Sequence, residues 1–431
     1  MKRILVRGPA LTQSGYGEHT RLVLRSLRSK EEDLDIYLIS TSWGATNWIF
    51  EDDEERAWID SLIQKTSMLL EQKQMPQPDV SIQVTIPLEW ERIAPINIGV
   101  TAGIETTKIA GEWIEKANMM DKIIVPSNFA RYAFDETSYD AQDTQTGQVI
   151  KGYKNETPIE VIPYPRKDWE FVDSPESFEN QISFETDFNF LAVAQWGPRK
   201  NLENLIKWFI EENFDRENVG LVLKTNLAKN CEIDRVACVE RLQQLLNHED
   251  YKDRKCKVYL LHGYMTEEEM ALLYRHRDIH AFITTTHGEG YGLPLFEAAQ
   301  AGLPIIAPAW SGHVDFLTMP VNGKNKFIPM KVDYDLRHIQ ESAVWDKVLV
   351  KDSMWCFPKE GSFKMKLRSM MDNYGAMKKK AVQLADWLEK EWPGDEEVWA
   401  EYLGFLDTSS KVDFDEVSTG LPDLSKIEIY D

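Results

Sequence analysis

Two series of β-rich runs alternating with amphipathic helical segments, separated by an acidic polar stretch, constrain the fold of this chain more than any other feature. In the first series, residues 3–6, 35–40, 80–85, 96–100 and 122–126 read as short strands, while 16–28 and 58–72 carry apolar side chains at helical spacing. The stretch 137–157 is polar and glycine-bearing and is expected to be an excursion loop. Residues 159–165 end the series as a strand halted by Pro163 and Pro165. The acidic stretch 168–187 is placed as an interdomain linker. The alternation then restarts, with strands at 188–194, 219–224, 257–261, 279–284 and 304–307 and helices at 201–212, 234–247, 266–277 and 292–301. Such alternation predicts a parallel sheet with helices on both faces. At 431 residues the chain exceeds one compact core, so two doubly wound α/β lobes are expected. Ligands of such lobes sit at the carboxyl ends of the strands, which puts the expected site in the cleft between them. A final helix over about 363–392 precedes an acidic, weakly structured tail.

The balance of 71 acidic against 49 basic residues leaves a formal net charge of −22. That disfavours non-specific attraction to nucleic acid or anionic lipid over the whole surface, so a local pair of cations stands out. Cys231, Cys238, Cys256 and Cys356 lie seven, 18 and 100 residues apart, show no zinc-ligand spacing and read as free thiols of a reducing, cytoplasmic compartment. Ile4-Leu5-Val6 is too short for a signal peptide, and no apolar run reaches the length of a membrane span.

Directly after the strand at 279–284 comes His287-Gly-Glu289-Gly290-Tyr291-Gly292-Leu293-Pro294-Leu-Phe-Glu297. Glycines permit positive φ and close backbone approach, and proline suits the first turn of the helix that opens here. The free N–H groups of a helix start favour an anion. Glu289 lies just before the helix and Glu297 about a turn inside it; helical side chains lean toward the N-terminus, so both carboxylates can address one ligand. A carboxylate accepts several hydrogen bonds, as sugar and ribose hydroxyls require. The plain alternative is an acid-capped helix with Glu297 on a solvated face. Val193-Ala-Gln195-Trp-Gly-Pro-Arg199-Lys200-Asn201 leaves the first strand of the second lobe and sets two cations at a helix start. The developing charge of a nucleoside diphosphate leaving group needs such support, although two solvated loop cations are the everyday alternative. Lys224, after the next strand, is a further candidate or a mere strand-end charge.

The segment from Glu289 to Glu297 resembles the Glu-x7-Glu motif of retaining glycosyltransferases of the GT-B fold, especially family four. Ala298 to Pro308 and Trp310-Ser-Gly-His-Val-Asp-Phe-Leu317 are similar to that family's continuation. Val125-Pro-Ser-Asn-Phe129, Val161-Ile-Pro163 and the glycine loop from Gly8 to Gly17 resemble its first lobe. The resemblance implies an acceptor-binding Rossmann-like domain over 1–167 and a nucleotide-sugar-binding one over 185–362. A C-terminal helix over 363–395 would pack back on the first lobe, before an acidic tail at 409–431. The implied reaction is cofactor-free and metal-independent: a sugar moves with retention from a UDP- or GDP-sugar to an acceptor hydroxyl. Front-face displacement is implied, with the leaving phosphate helping to deprotonate the acceptor. Glu289, Arg199 and Lys200 would be catalytic, with Glu289 at the donor sugar; Glu297 would hold the ribose. Gly290, Tyr291, Gly292, Leu293, Gly15, Gly17 and Lys224 would complete the donor site.

Members of that family usually carry a histidine after a central strand of the first lobe. Here the segment reads Ile98-Gly-Val-Thr-Ala-Gly-Ile-Glu105-Thr106-Thr107, and Glu105 or Thr106 would stand in for it. Trp43 and Trp48 could stack on an acceptor ring, although several of the 14 tryptophans must be core. His19 is expected to cap or decorate the first helix; Arg21, Arg25, Arg28 and Lys378–Lys380 read as solvated helix faces. The triplets Asp33–Asp35, Asp333–Asp335 and Asp413–Asp415 are expected by chance in so acidic a chain, and no metal is read from them. The acceptor is expected to be a glycan or other hydroxyl compound. The alternatives are hydroxymethylated bases of viral-type DNA, a GT-B sugar-nucleotide epimerase or hydrolase, and a non-catalytic sugar-nucleotide binder.

Overall fold

The computed structural model describes residues 1–143, 147–169, 178, 181–407 and 427–430. The chain divides into two compact units: Met1–Pro165, Ile339–Ser353 and the part after Trp392 form the first, Arg166–His338 and Met354–Trp392 the second.

In the first unit, strands β1 (Lys2–Gly8), β2 (Leu34–Ser40), β3 (Val80–Val84), β4 (Ile96–Val100) and β5 (Lys122–Val125) alternate with helices α1 (Gly15–Arg28), α2 (Glu54–Glu71) and α3 (Gly111–Asn118). Helix α4 (Asn128–Asp135), strands β6 (Ser138–Asp143) and β7 (Val149–Lys154), and β8 (Ile159–Val161) follow. The main sheet has the order β2-β1-β3-β4-β5-β8 and is parallel throughout. Every residue of β3 is buried, including two polar ones. Ser81 Oγ donates to Asn97 Oδ1 at 2.9 Å and Gln83 Nε2 to the Glu91 carbonyl at 2.6 Å, so this doubly covered strand holds no unpaired polar cost there. Trp90, Trp113, Phe134 and Met120 fill the core below β4 and β5, joined by Val348 from the excursion Ile339–Ser353.

The second unit contains β9 (Phe188–Gln195), α5 (Leu202–Asn213), β10 (Val219–Asn226), α6 (Glu232–Leu246), β11 (Lys257–Leu261), α7 (Glu267–Arg275) and β12 (Ile279–Ile283). Then come α8 (Leu293–Gln300), β13 (Ile305–Pro308), β14 (Thr318–Val321), β15 (Lys324–Phe327), β16 (Met330–Val332), β17 (Tyr334–His338), β18 (Met354–Pro358), α9 (Glu360–Asp372) and α10 (Tyr374–Glu391). Its parallel sheet runs β11-β10-β9-β12-β13-β16. The order reverses at β9, whose Leu191 faces Phe282 of β12. The loops leaving β9 and β12 therefore start from neighbouring strand ends at the switch point of the sheet, where doubly wound sheets bind ligands.

Several sequence expectations are corrected. The stretch 137–157 is a β-hairpin, β6 pairing antiparallel with β7, and Ile427–Tyr430 pairs with β6 as well. No residue of β7 is buried, so this strand lacks the apolar alternation that marks one in sequence. The helix over 363–392 is two helices broken at Asn373, and α10 lies on α8 of its own unit. The helix that packs on α1 is α11 (Asp395–Gly404), inside a stretch expected to be weakly structured: Ser26 Oγ donates to the Trp399 carbonyl at 3.0 Å. Residues 339–353 belong to the first unit rather than to a domain spanning 185–362. The tail at 409–431 lies outside the described residues apart from 427–430, and the linker 168–187 is described only in part. His19 does not decorate a surface; it is buried with Nε2 2.8 Å from Tyr402 Oη of α11, and burial pushes its pKa down to about 4. The arginine face of α1 is ion-paired: Arg21 and Arg25 bind Glu18, Arg25 also binds Glu55, and Arg28 lies over Trp58.

Helix α1 is capped by Ser14, whose Oγ accepts the Gly17 N–H at 2.9 Å. Gly17 is required by packing: a Cβ there would lie 2.1 Å from the Thr12 carbonyl oxygen, whereas one at Gly15 meets nothing within 4 Å. Gly17→Ala is accordingly expected to destabilise the first unit by about 1–3 kcal/mol. Gly15→Ala should be neutral, and calorimetric melting of the two variants checks the contrast.

Candidate functional site

Past β9 the chain makes one tight turn, Pro198–Lys200, and reaches Asn201 in the left-handed region at φ 55°. Asparagine tolerates that conformation, which swings the chain into α5. The turn is stitched to the exit of β12. Asn201 Nδ2 donates to the Thr285 carbonyl at 3.1 Å, Thr285 Oγ1 to the Asn201 carbonyl at 3.2 Å, and the His287 N–H to the Arg199 carbonyl at 2.8 Å. These bonds set the Arg199–Lys200 pair against the glycine segment that follows β12.

There the two cations converge on Glu289, which is 6% exposed. Lys200 Nζ lies 2.7 Å from both carboxylate oxygens, and Arg199 Nη1 donates to Oε2 at 2.9 Å and to the Gly288 carbonyl at 2.7 Å. Burial alone would push the Glu289 carboxyl up. The Lys200 ammonium and Arg199 guanidinium outweigh it and bring the pKa down to about 2. The Glu289 backbone is held from the loop after β13, where its N–H donates to Ser311 Oγ at 2.8 Å and its carbonyl accepts the Gly312 N–H at 2.9 Å. Ser311 adopts φ 76°, a conformation that favours glycine, and a Cβ at Gly312 would sit 2.1 Å from the Gly290 carbonyl oxygen. No role for Ser311 or Gly312 was read from the sequence; the available signal was a Ser-Gly pair in the loop after a strand.

Gly292, at φ 99°, starts α8 and places Leu293 and Pro294 in its first turn. Tyr291, a donor-site candidate, turns into the core against Phe296 and Phe316. Glu297 is half-buried and bound from two sides, by Tyr274 Oη at 2.9 Å and Lys167 Nζ at 3.3 Å. Lys167 was not anticipated as its partner. Lys224 is not joined to Glu289: its Nζ donates to the Gly263 carbonyl beyond β11, and burial, against the pull of Glu269, lowers its pKa to about 8.

The remaining candidates belong to the first unit. Gly15 opens α1, and Trp43 lies on Tyr16 with ring centroids 4.0 Å apart. Tyr16 Oη is 2.7 Å from Thr101 Oγ1, and burial, with a smaller contribution from the charge of Glu105, raises the tyrosine's pKa. Thr106 is turned inward, donating to the Lys108 carbonyl at 3.0 Å. Trp48 is exposed and bridges in antiparallel fashion to Thr12.

Among the described residues, Asp234, Cys238 and His262 bring metal-ligating atoms within 4.8 Å of one another. Asp234 is already engaged by the N–H groups of Leu227, Ala228 and Lys229 at 2.7–2.9 Å and by His262 Nε2 at 2.8 Å. The cluster is a hydrogen-bonded cap for the loop after β10. Of the Asp-x-Asp triplets, Asp35 pairs with Lys65 and Asp335 with Lys359; Asp413–Asp415 lies outside the described residues.

Residues 173–327, which carry both glutamates and the Arg–Lys turn, match the family described as glycosyl transferases group 1. No curated protein matches the chain in sequence. Among solved structures it is similar to Anabaena HepE in complex with UDP and glucose, at 13% identity and a TM-score of 0.59 over 94% of this chain and 99% of that one. It is similar to sucrose-phosphate synthase from Thermosynechococcus elongatus at 12% identity and a TM-score of 0.60, over 94% and 98% of the two chains. At these identities the likeness is one of fold: GT-B, with two Rossmann-like lobes.

The Glu289 pKa lies below its ordinary value of 4.5, so the ionised form stabilises the folded chain above that pH and the contribution is lost as pH falls through about 2. Lys200→Met is expected to move the Glu289 titration up toward 4.5, read by carboxyl-carbon NMR, and to raise the midpoint of acid unfolding.

Proposed function

We propose that the protein is a retaining glycosyltransferase that moves a sugar from a UDP- or GDP-sugar to an acceptor hydroxyl without a metal ion. The observation that carries this reading is the Arg199–Lys200–Glu289 cluster at the ends of β9 and β12, inside the segment that matches group 1 glycosyl transferases. In this reading the second unit takes the donor and the first the acceptor. The diphosphate binds Arg199 and Lys200, whose positions are held beforehand by Glu289, so little reorganisation is needed as leaving-group charge develops. Phosphate oxygens take over part of those cations' hydrogen bonds. Glu289, ionised at neutral pH, is then available to accept hydroxyls of the donor sugar.

Glu297 holds the ribose hydroxyls, exchanging contacts with Tyr274 and Lys167. Gly290, Gly292 and Leu293 let the backbone at the opening of α8 approach the diphosphate. UDP is the first choice of nucleotide because the similar Anabaena protein is seen with UDP and glucose. On the acceptor side, Glu105, whose charge acts on the Tyr16 hydroxyl, takes the place of the family's histidine.

Purified protein supplied with UDP-glucose or GDP-mannose in the presence of EDTA is expected to release the nucleoside diphosphate. Glu289→Ala should lower turnover by about 10²–10³-fold, and turnover that survives it would remove the assigned role. Glu297→Ala should raise the donor KM more than it lowers kcat. The anomeric proton of the product tests retention, and release of free sugar with every acceptor offered would mark a hydrolase instead.

A further inference from the structure

Between β17 and β18 the chain leaves the second unit at His338 and re-enters it at Met354. The two strands pair antiparallel from Tyr334 with Pro358 to His338 with Met354. The Ile339 N–H then donates to the Ser353 carbonyl at 3.2 Å and closes the neck of the hairpin. An ordinary hairpin tip ends in solvent, but this one is built into the first unit. Val348, 5% exposed, joins the core of Trp113 and Phe134, with Leu349 and Val350 packed against it. Two ion pairs flank that anchor: Asp352 with Lys108, and Lys347 at 3.7 Å from Glu112.

The stem is held as firmly in the second unit. Trp355 and Cys356 of β18 are fully buried, and the Cys356 N–H donates to the His287 carbonyl at 3.1 Å. His287 answers through its ring. Its Nδ1 lies 2.6 Å from the Cys356 carbonyl and so carries a proton. The imidazole stacks on Trp355, with centroids 4.9 Å apart at 11°, and meets Phe357 at 4.7 Å. Burial pulls its pKa down to about 4, so the neutral ring adds no third cation beside Arg199 and Lys200.

On its other side the His287 N–H donates to the Arg199 carbonyl at 2.8 Å, and Glu289 follows two residues later. Backbone bonds therefore run without a break from Cys356 through His287 to the turn that carries both cations. The donor reading uses Arg199, Lys200 and Glu289 and gives His287 and the hairpin no task. Close-packed interiors transmit displacement, so a strand with two fully buried residues cannot shift without moving the imidazole stacked on it. At the other end, withdrawal of Val348 would leave a cavity in the first unit's core.

We infer that the β17–β18 hairpin is a strap whose anchorage in the first unit steadies the Arg199–Glu289 cluster of the second, with His287 as the positioning residue that joins them. The inference rests on the proposed function only for its consequence in donor binding. By linkage, a nucleotide bound at the cluster in turn steadies the tip. The test replaces residues 342–352 of the full chain by an equal length of Gly-Ser, which frees the tip and keeps both strands. Without ligand, hydrogen exchange read by mass spectrometry is expected to quicken roughly 3- to 10-fold over 286–289 and 354–357. His287→Phe keeps a ring on Trp355 but loses the Nδ1–H bond and should do the same. His287→Asn, whose Nδ2 can stand in for Nδ1, should bring the rate back. Ile114→Ala opens a cavity in the same core away from the hairpin and should leave 286–289 unchanged. UDP is expected to slow exchange over 346–350 in the natural chain but not in His287→Phe. Unchanged exchange over 286–289 in His287→Phe would overturn the inference, even if the Gly-Ser chain does not fold. So would equal quickening by Ile114→Ala, which would assign the effect to general loosening of the first unit, or UDP binding that leaves 346–350 unchanged. Failure of UDP and GDP to bind at all would overturn the donor reading instead, and the ligand-free exchange would still decide the strap.

Discussion

One carboxylate held by two cations organises the second unit. Glu289 and Lys200 are both largely removed from solvent, and neither charge could remain there alone. A buried ion whose partner is deleted costs several kcal/mol, so each member of the cluster depends on the others. The pairing joins the loop after β9 to the loop after β12, some 90 residues apart in the chain, at the point where the strand order reverses. The Asn201 side-chain amide, the His287 N–H and the Ser311 hydroxyl make hydrogen bonds that hold the segments around this cluster against one another. In a chain of net charge −22, two cations aimed at one point form a local field opposite in sign to that of the whole.

The first unit repeats the plan with different chemistry. Its sheet also reverses at the first strand, with β2 on one side of β1 and β3 on the other. The loop that follows β1 packs Gly17 against Thr12 and is held by Arg21 Nη1, which donates to the Ala10 and Thr12 carbonyls at 2.7 and 3.0 Å. Helix α1, which this loop enters, is pinned from behind by α11 through the buried His19–Tyr402 bond. Cations are spent on ion pairs along α1 and α2, which leaves aromatic rings and hydroxyls at the sheet edge. Two cations around one carboxylate at the strand ends of the second unit thus contrast with exposed Trp48 and Phe50, followed by five acidic residues, in the first.

Much of the sheet architecture was legible in the sequence, because strands covered on both faces must be continuously apolar and the intervening helices amphipathic. The hairpin at β6 and β7 was not, since its largely solvent-facing residues lack that signal. Helices α3 and α4, of eight residues each, are about two turns long and too short for periodicity to declare itself. At the candidate site, Glu289, Arg199 and Lys200 could be named from spacing and position alone. Tyr291 was assigned to a ligand and instead fills the core, and Gly17 answers to packing. Ser311 and Lys167 acquired their roles only from what lies opposite them.

The amino-acid order by itself determined two doubly wound lobes, a glycine–acid helix start after one strand and an Arg–Lys turn after another. These follow from local periodicity and from the few residues able to make such turns. Tertiary structure alone decided that the turn and the acid meet, because strand neighbours in a parallel sheet are set by crossover order and not by distance along the chain. It also decided which tryptophans face solvent and which histidines are buried, since a side chain's environment is supplied by segments remote in sequence.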